Sequence, residues 1–121
     1  HTTLDRMAHY ARIPIVNGLS DLHHPCQALA DLLTLKQNFQ QLEGLKLAYV
    51  GDGNNVLHSL MLLAPFVGVD VHYSCPKGYE PDVEILKRAQ NRSQKMGTKV
   101  KSFETPQMAV QGAHGLYTDV W

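Results

Sequence analysis

Cysteine, tryptophan, excess charge of one sign and long apolar runs are all scarce in this chain of 121 residues. Each scarcity excludes something. The two cysteines, Cys26 and Cys75, lie far apart in dissimilar contexts, so neither a disulfide framework nor a zinc ligand set is expected. Eleven Lys and Arg balance eleven Asp and Glu. Arg6, Arg12 and Lys36 stand against Asp5, Asp21 and Asp31 in the first third, and the remaining charges balance again after it. Such a balance argues against a large nucleic-acid-binding face. The longest apolar run, residues 60–67, is far short of the roughly 20 residues that cross a bilayer. No leader pattern is visible at the start. A cytoplasmic protein with no nucleic-acid or membrane partner is therefore expected. The chain begins with His1 and stops at Trp121 inside what reads as a strand, so an internal fragment of a longer protein is expected as well.

What is present suits one ordinary domain or pieces of two, with 44% hydrophobic and 18% charged residues. Leu4, Met7, Ala8 and Ala11 recur at helical spacing after the possible caps Thr2 and Thr3, which predicts a first helix ending near Arg12. Asn17-Gly18 reads as a turn and residues 19–24 as a polar loop. Pro25 suits the first position of a helix, because its missing N–H costs nothing there, and Leu29, Leu32 and Leu33 carry that helix to about Phe39. Residues 40–44 are the plausible linker.

From Leu45 onward the pattern becomes α/β. Strands are predicted over 45–50, 69–73, 99–103 and 115–120, with helices over 56–67, 81–96 and 105–111; Pro65 should kink or end the first of these three helices. Alternation of this kind requires a parallel sheet with right-handed crossovers and helices on both faces. In such sheets ligands sit beyond the C-terminal strand ends, which would put residues 51–55, 75–79 and Asp119 on one rim.

Four features could carry chemistry. In Asp21-Leu-His-His24-Pro25-Cys26-Gln27, His24 is placed at a helix start with Gln27 one turn in; free N–H groups there suit an anion, and an imidazole with a primary amide suits a carbonyl. The alternative is a plain His-Pro helix start with Gln27 in solvent. His23 and His24 are adjacent and so point apart, and no carboxylate or cysteine stands at ligand spacing from them, so no metal is expected. Gly51-Asp-Gly-Asn54-Asn55 follows a strand, but Val56 stands where a dinucleotide fingerprint needs glycine, and no acid ends the second strand. It reads as a tight turn with an Asn cap, or as a rim on which Asn55 meets a polar small molecule. Asp119, at the end of a buried strand, calls for a cationic ligand or an internal Arg or Lys. Lys87, Arg88, Arg92, Lys95, Lys99 and Lys101 read as a solvated face.

Taken together, Asn17-Gly-Leu-Ser-Asp21, His24-Pro-Cys-Gln27-Ala-Leu-Ala-Asp31, Gly51-Asp-Gly-Asn-Asn55-Val-Leu-His-Ser59, Pro76-Lys-Gly-Tyr-Glu-Pro81 and Tyr117-Thr-Asp-Val-Trp121 resemble the ornithine carbamoyltransferase family, in colinear order over essentially the whole chain. The His-Pro-x-Gln element alone is shared with the aspartate enzymes. The resemblance implies an α/β fold of two domains, with residues 1–39 the last part of the carbamoyl-phosphate domain and 40–121 an incomplete ornithine domain. It implies that His24, Pro25, Cys26 and Gln27 bind carbamoyl phosphate, with His24 and Gln27 catalytic, and that Asn55 and Asp119 bind ornithine. It also implies a homotrimer, no cofactor and no metal. The family's Ser-Thr-Arg-Thr phosphate loop and its Ser-Met-Gly and His-Cys-Leu-Pro segments are not in this chain, so the segment alone is expected to be inactive. A transcarbamylase for an acylated ornithine or putrescine, and a truncated non-catalytic α/β binding module, are the competing expectations.

Overall fold

A computed structural model describes residues 2–119. Two helices come first, α1 (Thr2–Tyr10) and α2 (Pro25–Phe39), followed by the α/β unit: β1 (Lys46–Val50), α3 (Asn55–Leu63), β2 (Asp70–Ser74), α4 (Val83–Met96), β3 (Val100–Ser102), α5 (Pro106–Val110) and β4 (Gly115–Thr118). A 3-10 turn, Ala64–Val67, extends α3. Pro65 lacks the N–H that would continue the α-helical ladder, so the expected break falls at Leu63.

Local chemistry sets most boundaries. Asn54 caps α3, accepting from the backbone N–H groups of Val56 and Leu57, and Asp82 caps α4 in the same way through Glu84 and Ile85. That cap moves the start of α4 from the expected residue 81 to Val83. Gly97, at φ 71°, closes α4 in the left-handed conformation that glycine adopts without penalty. Thr105 caps α5 by accepting from Met108. Thr2 and Thr3 lie within α1 instead of capping it, and α1 stops at Tyr10, before Arg12.

All strand pairs are parallel, in the order β3-β2-β1-β4. Right-handed crossovers then place α3 and α4 on one face and α5 on the other. The register puts Leu47, Tyr49, Val71, Tyr73 and Val100 on the α3 and α4 side, where they join Leu57, Leu60, Met61, Ile85 and Ala89 in the core. α2 packs on α3 and adds Ala28 and Leu32 to that core. Leu32 therefore has a partner that helical spacing alone does not supply, whereas Leu29 and Met7 stay exposed.

β4 corrects the expectation of a buried final strand. It is an edge strand with alternating exposure, and Leu116 is 64% exposed. Val120 and Trp121, expected to continue it, lie outside the described residues, as does His1.

Strand order creates a switch point. The chain leaves β1 through α3 toward β2, then returns through α5 to pair β4 with the other side of β1. The crevice outside the ends of β1 and β4 is where such sheets bind ligands, and it is bordered by residues 51–55 and Asp119.

Candidate active site

Gly53 shows how tightly the β1–α3 turn is built. Its N–H donates to the Tyr79 carbonyl at 2.8 Å, and a Cβ at this position would run into Pro81 N, the Glu80 carbonyl carbon and the Tyr79 oxygen. Only glycine lets residues 79–81 lie against the turn. Tyr49 secures the turn from within the sheet, donating to the Asp52 carbonyl at 2.8 Å and stacking on Tyr117 of β4 with ring centroids 5.8 Å apart.

The α2 N-terminus is fastened to the α3 N-terminus by three hydrogen bonds. The His24 N–H donates to Ser59 Oγ at 2.8 Å, Asn55 Nδ2 donates to the Ser20 carbonyl at 2.8 Å, and His58 Nδ1 meets the Leu22 carbonyl at 3.0 Å. His58 has one possible tautomer. Its Nε2 accepts from the Asp82 N–H at 2.9 Å, so the ring proton is on Nδ1 and is donated to Leu22. Burial lowers the His58 pKa, the larger effect against the Leu22 hydrogen bond that raises it. The buried imidazole thus joins the loop before α2, α3 and the start of α4.

His24 occupies the N-cap position of α2, yet its side chain makes no capping bond. Its Nδ1 is buried and has no hydrogen-bond partner. The imidazole is thus not committed to capping the helix. Pro25 takes the first helical position, as expected, and Cys26 is exposed with its thiol 3.6 Å from the Asn17 carbonyl oxygen. Gln27 is not simply solvated: Nε2 donates to Asp31 Oδ1 at 2.8 Å, which turns its Oε1 end away from Asp31.

On the opposite side of the crevice, Asn54 Nδ2 donates to Asp119 Oδ2 at 2.7 Å. The partner is an amide, so of the two expected alternatives, a cationic ligand or an internal Arg or Lys, the second is not met among the described residues. An amide leaves the carboxylate charge unneutralised, so Asp119 retains its attraction for an ammonium group. Asn55 stands at the rim as expected, with its amide NH2 engaged by Ser20. Asp31 lies within electrostatic reach of both His24 and Asp119, which places the helix start and the end of β4 on the same side of the sheet. Cys75, at the end of β2, has its thiol pushed up to about 11 by burial and by the nearby Asp52 and Glu80, which makes it a poor nucleophile.

Sequence reasoning did not assign roles to Asp31 or His58, and read Asn54 only as a helix cap. Asp31 could have been found from its i, i+4 spacing to Gln27, and His58 from its position in an otherwise apolar helix. Arg92, read as part of a solvated face, is partly buried, donates from Nη1 to the Leu62 carbonyl at 2.7 Å and lies over the Phe66 ring. Among the described residues, no three metal-binding side chains cluster and no helix is long and apolar enough to cross a membrane.

The geometry has close counterparts. The Asp/Orn-binding domain model of the aspartate/ornithine carbamoyltransferases matches residues 43–121, and the carbamoyl-P-binding domain model matches residues 1–37. An ornithine carbamoyltransferase of Listeria monocytogenes serotype 4b is 54% identical over 121 residues, the whole of this chain and 38% of that protein. The structure of ornithine carbamoyltransferase from Gloeobacter violaceus superposes with a TM-score of 0.95 at 51% identity, covering 99% of this chain and 42% of that one. The Pyrococcus furiosus ornithine carbamoyltransferase gives the same TM-score, 0.95, at 44% identity, over 99% of this chain and 38% of that one. The chain spans 38% of the length of the Listeria relative. With both domain models matched in order and the two halves joined at the crevice, the chain belongs to the aspartate/ornithine carbamoyltransferase family.

Proposed function

We propose that this chain is part of an ornithine carbamoyltransferase, which transfers the carbamoyl group of carbamoyl phosphate to the side-chain amine of L-ornithine, giving L-citrulline and phosphate. One observation carries the reading: hydrogen bonds from the 19–24 loop and His24 to α3 hold the His24-Pro-Cys-Gln27 helix start beside Asn55, whose neighbour Asn54 is bonded to Asp119. A donor set for a carbonyl and an acid for an ammonium thus share one crevice.

His24 donates to the carbonyl oxygen of the carbamoyl group, which gains negative charge as the tetrahedral intermediate forms. Gln27 accepts from the carbamoyl NH2. Asp119 and Asn55 hold the amino-acid end of ornithine, so that its neutral side-chain amine reaches the carbonyl carbon. The new C–N bond forms, the C–O bond to phosphate breaks, and the amine proton is released with the phosphate. Placement of the two reactants and stabilisation of the oxyanion supply the rate, and no cofactor is required. The phosphate group is met by parts of the parent protein outside this chain, so the segment alone is inactive.

In this reading the parent protein is cytoplasmic and serves arginine metabolism. The free thiols of Cys26 and Cys75 suit a reducing compartment. It assembles as a homotrimer, and the exposed Tyr10, Ile13, Val16 and Leu19 provide apolar surface for the rest of the chain and for subunit contacts. The test is to supply the purified whole protein with carbamoyl phosphate and, separately, L-ornithine, N-acetylornithine and putrescine. Citrulline formation from ornithine, with little product from the other two, is expected. Preference for another acceptor would overturn the substrate assignment.

A further inference from the structure

We infer that Asp31 is a positioning residue for the carbamoyl-binding amide of Gln27, dictating which end of that amide faces the substrate. The inference rests on the carbamoyltransferase reading of Gln27. Gln27 and Asp31 stand four residues apart in α2 and so share one face of the helix, one turn in from the N-cap residue His24. Gln27 Nε2 donates to Asp31 Oδ1 at 2.8 Å. An ionised carboxylate has no hydrogen to give, so only the NH2 end of the amide can lie against it. The carbonyl end, Oε1, must then point the other way.

That direction matters because a carbamoyl group presents its own NH2. Gln27 with Oε1 outward accepts from it; with the amide reversed, two NH2 groups would face each other. Nothing else bonded to the Gln27 side chain selects between the two orientations, since the Asp31 contact is its only hydrogen bond among the described residues. A helix needs no acid at this position for its own sake. Asp31 is partly buried, and its Oδ2 is buried without a hydrogen bond, although the Tyr117 hydroxyl lies near the same carboxyl. Burial raises its pKa, and the Gln27 hydrogen bond is the largest opposing influence, ahead of the His24 charge. An acceptor that cannot donate is what sets the amide, and an asparagine of the same size would lack that property.

The experiment is a double-mutant cycle in the whole carbamoyltransferase that contains this segment, combining Asp31→Asn with Gln27→Ala. A side-chain amide in place of the carboxylate could satisfy either end of Gln27, so Asp31→Asn should raise KM for carbamoyl phosphate about tenfold, the scale of one lost hydrogen bond. KM for ornithine and the thermal midpoint should change little. In the Gln27→Ala background the same change should cost less than about twofold, because no amide is left to orient. Asp31→Glu retains an acceptor that cannot donate and should recover part of the affinity. Full additivity, or an unchanged KM in Asp31→Asn, would overturn the role of Asp31. Failure of both Asp31→Asn and Asp31→Glu to fold would also overturn it, making Asp31 a folding residue. If Gln27→Ala by itself leaves KM for carbamoyl phosphate unchanged, the reading of Gln27 is what fails.

Discussion

Asn54 joins two functions that lie 65 residues apart: its Nδ2 donates to Asp119 Oδ2 at 2.7 Å while its Oδ1 receives the N–H groups of Val56 and Leu57. The helix cap therefore determines which end of the amide reaches Asp119. The Tyr49 hydroxyl adds a third, longer contact to the same Oδ1 at 3.3 Å.

Asn54→Asp separates the two tasks. A carboxylate still caps α3, so the thermal midpoint should fall only modestly, but a second negative charge now faces Asp119. In the whole enzyme, KM for ornithine should rise while KM for carbamoyl phosphate stays near its original value. Asn54→Ala should instead lower stability by about 1 kcal/mol through loss of the cap, as read by chemical denaturation. An unchanged ornithine KM in Asn54→Asp would remove Asp119 from the ornithine site.

His24→Ala should raise the barrier by about 2–4 kcal/mol, the usual effect of losing one oxyanion donor. The imidazole makes no capping bond and its Nδ1 has no partner, so stability should barely change. Turnover measured beside a thermal melt checks both halves. Unaltered turnover would reduce His24 to a helix start.

Stability should fall as the solution is acidified. The His58 pKa is lowered by burial, so between its folded value and the ordinary value of about 6.5 the unfolded chain binds more protons than the folded one. Its stabilising contribution is complete above the unfolded value and is lost as pH falls through the folded value. His23 and His72 are shifted in the same direction, mainly by burial, and add to the effect. The Arg88 charge also lowers His23, while Asp82 opposes the shift in both His23 and His58. His58→Gln cannot take up a proton and should flatten the slope, while losing about 1–3 kcal/mol at neutral pH from imperfect replacement of two buried contacts. Denaturation midpoints from pH 5 to 8 measure both. An unchanged slope would place the acid sensitivity in the other two histidines.

The 121-residue segment expressed alone should form no citrulline and should elute as more than a monomer. Met7, Leu29 and Leu33 are each at least half exposed, and the edge strand β4 presents Leu116. Size-exclusion chromatography and a citrulline assay test the two claims separately. A monomer with a sharp melt would show that this surface is tolerated; citrulline would show that the phosphate loop outside the segment is dispensable.

The sequence by itself determined the elements and their order. The break at Pro65, the cap at Asn54, the glycine stops and the alternation of apolar strands with helices act over a few residues, and a parallel α/β sheet follows from them. It also carried the motifs whose family resemblance makes His24, Gln27, Asn55 and Asp119 the proposed site residues. Tertiary structure alone decided which of those side chains touch. That Asn54, and not a cation, reaches Asp119 depends on β4 pairing with β1 instead of extending the sheet beyond β3. That Asn55 and His58 hold the loop before α2 depends on α2 packing on α3. Caps and periodicity are read from near neighbours, whereas hydrogen-bond partners tens of residues apart exist only once strand order and helix packing have brought them within about 3 Å.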